Sequence, residues 1–213
     1  MSTPNVLAEL KKRDAELQKL VRQSMLVIEP LDSDYNRAIE HWRKDTSSQF
    51  WSRTVIRCLC ADIEARLFVL RKMAEKLATA SGVKFGADEL EILSEQRIVT
   101  KKGVQNTKRK WLPLPDSVKE SFRLFAKGMG APLAIDYGLK GYSDLCNLFE
   151  TRNRLMHPKT TFDVAVNPQN VETANQGIHW FNETCAEVFR QCTAHTANMI
   201  EIALKSISAR TSR

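Results

Sequence analysis

The sequence predicts an all-α protein, a bundle of long antiparallel helices broken by one Gly/Pro/Lys-rich insertion at about residues 83–140. Three observations carry this. Ile178, Phe181, Cys185, Val188, Cys192, His195, Met199 and Ile202 recur at spacings of 3,4,3,4,3,4,3 without a miss, the repeat of a helical seam. Ile56, Leu59, Ile63, Leu70, Met73 and Leu77 form an almost pure heptad, which suits a long helix buried against partners. Most of the glycine and proline falls between Gly82 and Gly141, so the turn formers are gathered in one stretch.

In chain order, residues 5–28 read as a first helix, with Leu7, Leu10, Leu17, Val21 and Ile28 on a 3/4 spacing interrupted by Asp14 and Ser24. Glu29-Pro30 is expected to stop it, and Asp32-Ser33-Asp34 offers the N-cap of a second helical region. That region passes Tyr35, Ile39 and Trp42, breaks around Thr46-Ser47-Ser48, and continues from Phe50 to Thr79 with a C-cap at Ser81-Gly82. Within the insertion a short helix is expected over residues 87–95. From Arg97 to Leu112, β-branched and aromatic ends around a polar Gly/Asn centre point to a short β-hairpin. Ser117-x-x-Glu120 is a capping box, predicting a helix over residues 117–127 that ends at Gly128. Gly130, Pro132 and Gly138 keep the chain irregular up to a cap at Ser143, and residues 159–168 connect to the last helix.

A chain of 213 residues can bury one ample core, and 43% hydrophobic with 27% charged residues is ordinary for a folded domain. No apolar run approaches the roughly 18 residues that suggest a membrane span. Met1-Ser2-Thr3-Pro4-Asn5 runs into the first helix without an apolar signal region, which predicts a cytoplasmic protein with no membrane partner. Cys58, Cys60, Cys146, Cys185 and Cys192 are odd in number, contain no C-x-x-C and mostly fall at apolar helical positions, as free core thiols do. A zinc site combining Cys58, Cys60, Cys185, Cys192 and His195 lacks ligand spacing, so no metal or cofactor is expected. The net charge of +7 favours polyanionic partners, RNA first.

One stretch stands apart. Read as a helix, Leu145, Leu148, Phe149, Leu155 and Met156 make one apolar arc, and Arg152 falls near its middle. Arginine cannot shed its charge, and burying it costs several kcal/mol unless an anion meets it. Glu150, Asn153 and His157 line a second, polar face, and Pro158 biases the helix to end at or before His157. On an unbroken helix Arg152 and His157 would be about 140° apart and could not grip one small ligand. They converge only if the helix ends there or a second copy supplies half the site.

Arg152-Asn153-Arg154-Leu155-Met156-His157 resembles the Rx4-6H signature of the HEPN superfamily, and the flanking Glu150-x-Arg152-Asn153 and His157-Pro158 are similar too. The resemblance implies a single HEPN-like helical domain over residues 1–213, a homodimer with both motifs facing one cleft, and metal-independent RNA cleavage leaving a 2′,3′-cyclic phosphate. It further implies a toxin or antiviral-defence effector, with an antitoxin or regulatory protein as a possible partner, or alternatively a non-catalytic nucleotide- or RNA-binding scaffold. Within it Arg152 and His157 correspond to the catalytic pair and Asn153 to its polar companion, with Glu150 and Arg154 in support.

Three further features carry two readings each. Glu64, beside the heptad seam, either orients Arg152 or His157 across helices, as acidic residues do in relatives of that family, or is a half-exposed residue pairing with Arg57 or Arg71. Lys101, Lys102, Lys108, Arg109 and Lys110, with Trp111 beside them, either track RNA phosphates with an aromatic for base stacking or form a solvated loop. His195 lies in the last seam, where a histidine is more often a satisfied core residue than a ligand.

Overall fold

A computed structural model describes residues 3–101, 104–109 and 112–211. They form α1 (Thr3–Lys44), α2 (Gln49–Ser81), α3 (Ala87–Ser94), β1 (Gln96–Lys101), β2 (Val104–Arg109), α4 (Leu114–Met129), α5 (Lys140–Met156), a 3-10 turn (Thr161–Val164) and α6 (Pro168–Thr211). Among the described residues the regular elements are helical apart from β1 and β2, which pair antiparallel with Gln96 opposite Arg109 and Lys101 opposite Val104. Its contacts gather into two compact units. One, the hairpin unit, holds Met1–Arg22, Val69–Leu133 and Val188–Arg213; the other, the motif unit, holds Gln23–Phe68 and Ala134–Glu187.

Pro30 does not stop α1, contrary to the sequence reading. A proline removes one N–H and crowds the carbonyl four residues back, a cost of about 3 kcal/mol in a helix interior. Here that carbonyl belongs to Leu26, which is 75% exposed and open to water. Farther along the helix Ala38, Ile39 and Trp42 are buried, so packing offsets the missing bond. The N-cap expected at Asp32-Ser33-Asp34 is therefore not used, and Asp32 instead accepts from Arg66 Nη2 at 2.6 Å. The break at residues 45–48 is present: Asp45 Oδ1 accepts from Ser47 N (3.1 Å) and Oγ (2.6 Å), and Ser48 Oγ accepts from Trp51 N at 3.4 Å in the first turn of α2.

In the hairpin unit the heptad positions Leu70, Met73 and Leu77 of α2 are buried, with Phe122 and Phe125 of α4 and Val188 of α6. Phe125 and Phe189 bring their ring centroids to 4.8 Å. α4 begins at Leu114 and ends at Met129, earlier and later than the capping box suggested. Pro113 and Pro115 suit the start of a helix, where proline's φ is preset and its missing N–H costs nothing. Ser117 then lies inside the helix, and its hydroxyl serves the buried Arg71. Arg71 donates to Ser117 Oγ (2.9 Å), Ser121 Oγ (2.8 Å) and Glu95 Oε1 (2.5 Å). Burial lowers its pKa, opposed by the Glu95 carboxylate. Gly128, expected as the stop, is a packing position: a Cβ there would lie 2.7 Å from the Ala74 carbonyl oxygen, so the helix continues to Gly130 at φ +67. Glu89 of α3 accepts from Lys127 (2.6 Å), Arg123 (2.7 Å) and Gly86 N (2.8 Å).

In the motif unit the first half of α2 buries Val55, Ile56, Leu59 and Ile63, and the start of α6 buries Val171, Ala174, Ile178 and Phe181. α5 and α6 lie antiparallel, with Leu145 against Gly177 and Gly141 against Trp180. This close approach explains why α5 starts at Lys140 and not at a cap on Ser143: Gly141 must already be helical to admit the indole, since a Cβ would sit 2.5 Å from Trp180 Cβ. Of the α6 seam, Ile178, Phe181, Val188 and Cys192 are buried and Cys185 is half-buried. His195 is half-buried and Met199 and Ile202 are about half exposed, so the periodicity outruns the burial.

Two stability predictions follow from these packings. Gly177→Ala places a methyl 2.7 Å from the Leu145 backbone, and the overlap should outweigh the roughly 1 kcal/mol of helix propensity gained, for a net loss of about 1–3 kcal/mol in urea denaturation. Burial opposes ionisation of Glu89, but the donors from Lys127, Arg123 and Gly86 win and hold its pKa down to about 2 from 4.5. A depressed carboxylate stabilises the fold above its unfolded value and loses that contribution as pH falls through the folded one. The stability gap between the wild type and Glu89→Gln should therefore be full at pH 5 and shrink toward pH 2.

Candidate functional site

The motif helix is α5. Leu145, Leu148, Phe149 and Leu155 are buried as expected, whereas Met156, assigned to the same arc, is half exposed. In the last turn Leu155 still faces the core and Met156 does not. Arg152 is not swallowed by the arc either: its side chain is 28% exposed and reaches α2. Nη2 donates to Glu64 Oε1 at 2.8 Å, and Nη1 lies 3.3 Å from Asn153 Oδ1. The anion that the apolar arc demanded is thus Glu64, the reading in which it orients Arg152. Arg71 is engaged by Glu95 and the two serines, and Glu150, given a supporting role by the resemblance, is exposed.

Cys60 lies one turn before Glu64. Burial pushes its thiol up to about 12, with Arg152 pulling it down and Glu64 pushing it up. Two residues beyond Cys60, Asp62 takes both contacts from Arg66 Nε at 2.9 and 2.8 Å, with its side chain only 4% exposed. Burial raises the Asp62 pKa against the pull of Arg66. Glu64, by contrast, is 38% exposed. A half-exposed ion pair of this kind contributes about 0–1 kcal/mol and opens cheaply.

His157 is the C-cap of α5, at φ −132 and ψ 56, with its N–H donated to the Asn153 carbonyl at 3.1 Å. The helix ends where Pro158 required, so the imidazole is no longer bound to the 140° offset of a continuous helix. His157, Asn153 and Arg154 are all exposed.

The segment after the motif is tied down by residues that sequence reasoning did not single out. Asp163 Oδ2 accepts from Lys159 N (2.9 Å), Thr160 N (2.8 Å) and Thr160 Oγ1 (3.0 Å), and these bonds, aided by Arg154, hold its pKa below the usual carboxylate range. Thr160-x-x-Asp163 is a legible capping signal. Gln49 grips Val166 twice, donating to its carbonyl at 2.9 Å and accepting from its N–H at 3.0 Å, and Arg53 Nη1 donates to the Val164 carbonyl at 3.2 Å. No local pattern announces those contacts. Arg152 rests on Glu64 and Val166 on Gln49, so residues 152–166 run antiparallel along α2, fastened at both ends with His157 between.

Lys108 of the basic cluster belongs to the hairpin unit. Lys102, Lys110 and Trp111 are outside the described residues, as are the side chains of Lys101 and Arg109; Lys108 is exposed on β2. The five cysteines are free thiols. Among the described residues, no helix is long and apolar enough to cross a membrane. Comparison of the chain with protein-family models, curated proteins and solved structures found no match.

Burial also pushes the Cys185 thiol up to about 12. Thiols raised above their unfolded value stabilise the fold below that value and lose the contribution as pH climbs through the folded one. Stability should fall between about pH 9 and pH 12, and Cys60 should resist iodoacetamide at pH 8.5 until the chain is unfolded. Rapid native alkylation of Cys60 would contradict its burial.

Proposed function

We propose that this chain is a metal-independent endoribonuclease of HEPN type, acting as a homodimer with a composite site, in the manner of a toxin or antiviral-defence effector. The observation that carries the reading is the Arg152–Glu64 pair, a guanidinium drawn out of an apolar arc by a carboxylate of another helix and left part-exposed beside Asn153, with His157 freed at the helix end.

RNA carries its own nucleophile. Cleavage requires that the 2′-OH lose its proton and attack phosphorus, that the phosphorane charge be met, and that the departing 5′-oxygen gain a proton. An imidazole can take or give that proton, and with two motifs in one cleft one His157 serves as base and the other as acid. Arg152 presents a planar fork to the scissile phosphate, exchanging Glu64 for a phosphate oxygen. Asn153 holds the guanidinium or a phosphate oxygen. The products are a 2′,3′-cyclic phosphate and a free 5′-hydroxyl. Localisation in the cytoplasm and regulation by an antitoxin belong to the same reading.

A second reading has a specific observation behind it. Arg152 finds its carboxylate within its own chain, as a purely structural arginine would, and this favours an unrelated helical bundle, matching the motif by chance, that does not cleave RNA.

The two readings diverge in one assay. Purified protein incubated with mixed RNA in EDTA should cleave it, His157→Ala should lower turnover roughly 10²-fold or more with RNA binding kept, and light scattering should give a dimer mass for both. Arg152→Lys should lose most activity although the charge remains, because the bidentate fork is gone. A folded Arg152→Lys protein with full cleavage would make the arginine structural and remove the basis of the assignment. Reversing three charges between Lys101 and Lys110 should weaken RNA binding and flatten its salt dependence if that cluster tracks phosphates; an unchanged salt slope returns it to a solvated loop.

A further inference from the structure

Phe162, at 81% exposure, is the most exposed large apolar side chain among the described residues. It is not on a loose end. It sits in the 3-10 turn fastened by the Asp163 carboxylate to Lys159 and Thr160, and two residues later Arg53 holds the Val164 carbonyl. The turn holds the ring in water at a standing cost in unburied apolar surface.

A second aromatic group lies at the same end of the motif unit. Gln49, which grips Val166, is followed by Phe50, 62% exposed, whose ring meets Trp51 edge-on at 4.9 Å; Trp51 is itself stacked on His41 at 4.4 Å. Exposed cations lie on the same elements: Arg43 and Lys44 at the end of α1, Arg57 on α2, and Arg154 and Lys159 on either side of His157. Of the acidic residues there, Asp163 and Asp45 each bond within their own turns. Rigid rings with open faces, interleaved with positive charge, are what single-stranded nucleic acid binds: phosphates meet the cations and unpaired bases stack on the aromatics.

We propose that Phe162, with Phe50, is a stacking platform for unpaired bases of single-stranded RNA, adjoining the Arg152/His157 motif. The inference rests on reading that motif as an RNA site and deepens it: the substrate enters as an unpaired strand, and the base beside the scissile phosphate is held on Phe162. Duplex RNA, whose bases are already stacked on one another, offers the platform nothing.

The test measures binding apart from cleavage. Fluorescence anisotropy with a fully 2′-O-methylated single-stranded oligonucleotide, which lacks the attacking hydroxyl, should show about tenfold weaker binding for Phe162→Ala, with a further loss in the Phe50→Ala double variant. Binding of a duplex should change little. Phe162→Tyr should retain affinity, while Phe162→Leu, apolar but without a π face, should behave like the alanine variant. Thermal melts should be unchanged, because the ring is removed from water and not from the core. The platform is overturned if the wild type does not bind the single strand, if Phe162→Ala binds it normally, or if Phe162→Leu keeps full affinity. It is equally overturned if the alanine variant loses self-association by light scattering with RNA affinity intact, which would make the ring a protein contact. A wild type that cleaves no RNA yet binds single strands through Phe162 sinks the nuclease reading and leaves the platform standing; cleavage that needs His157 while Phe162→Ala binds normally does the reverse.

Discussion

The geometry of the motif depends on its being fastened to α2 at two points. Arg152 is held by Glu64 at one end, and Val164 and Val166 are held by Arg53 and Gln49 at the other. Between them the chain must leave the helix, turn at His157-Pro158 and close a short 3-10 turn. Loop backbone carries donors and acceptors that have to be met, and here a glutamine, an arginine and an aspartate meet them. The backbone of His157 is placed by these ties while its imidazole stays exposed.

The α5–α6 contact supplies the support behind it. Gly177 against the Leu145 backbone and Gly141 against Trp180 bring the two helices together at glycines, and Tyr142 adds its ring 5.2 Å from the indole. Asn167 and Asn170 exchange reciprocal backbone caps at the start of α6, with Pro168 between them, so the connection out of the motif ends in a firm helix start. The apolar stripe of α5 is thereby seated through Leu155, and only Met156 of the arc projects.

Much of this was legible in the residues. The heptad of α2 and the 3/4 seam of α6 marked helices that are present, and Pro158 marked the end of α5 correctly, because periodicity and proline act locally. What sequence reasoning missed came from packing. Pro30 looked like a stop, yet a single missing hydrogen bond does not end a helix of 42 residues whose following turns are buried. Gly128 looked like a terminator and is a contact. Glu64 had been singled out with two readings, and the contact with Arg152, 88 residues away in the chain, decides between them only in the fold. Gln49, which carries no local signal of its contact with Val166, was invisible.

Two ion pairs on neighbouring turns of α2 show how one helix can hold both a fixture and an exchangeable group. Asp62 is withdrawn from water, takes Arg66 through both oxygens and has no solvent to retreat to, so separating that pair would strand a buried charge, a loss of several kcal/mol. Glu64 and Arg152 are each about a third exposed, and their separation returns both to water at little cost. Under the proposed function a phosphate at Arg152 would bring a charge-assisted contact at least as strong as the one it displaces. The buried pair fixes the helix; the exposed pair aligns the guanidinium and is the one that can be exchanged. The exchange that the proposed function asks of Arg152 falls to the pair that is cheap to open, while the same contact within one chain is also what a structural arginine would make.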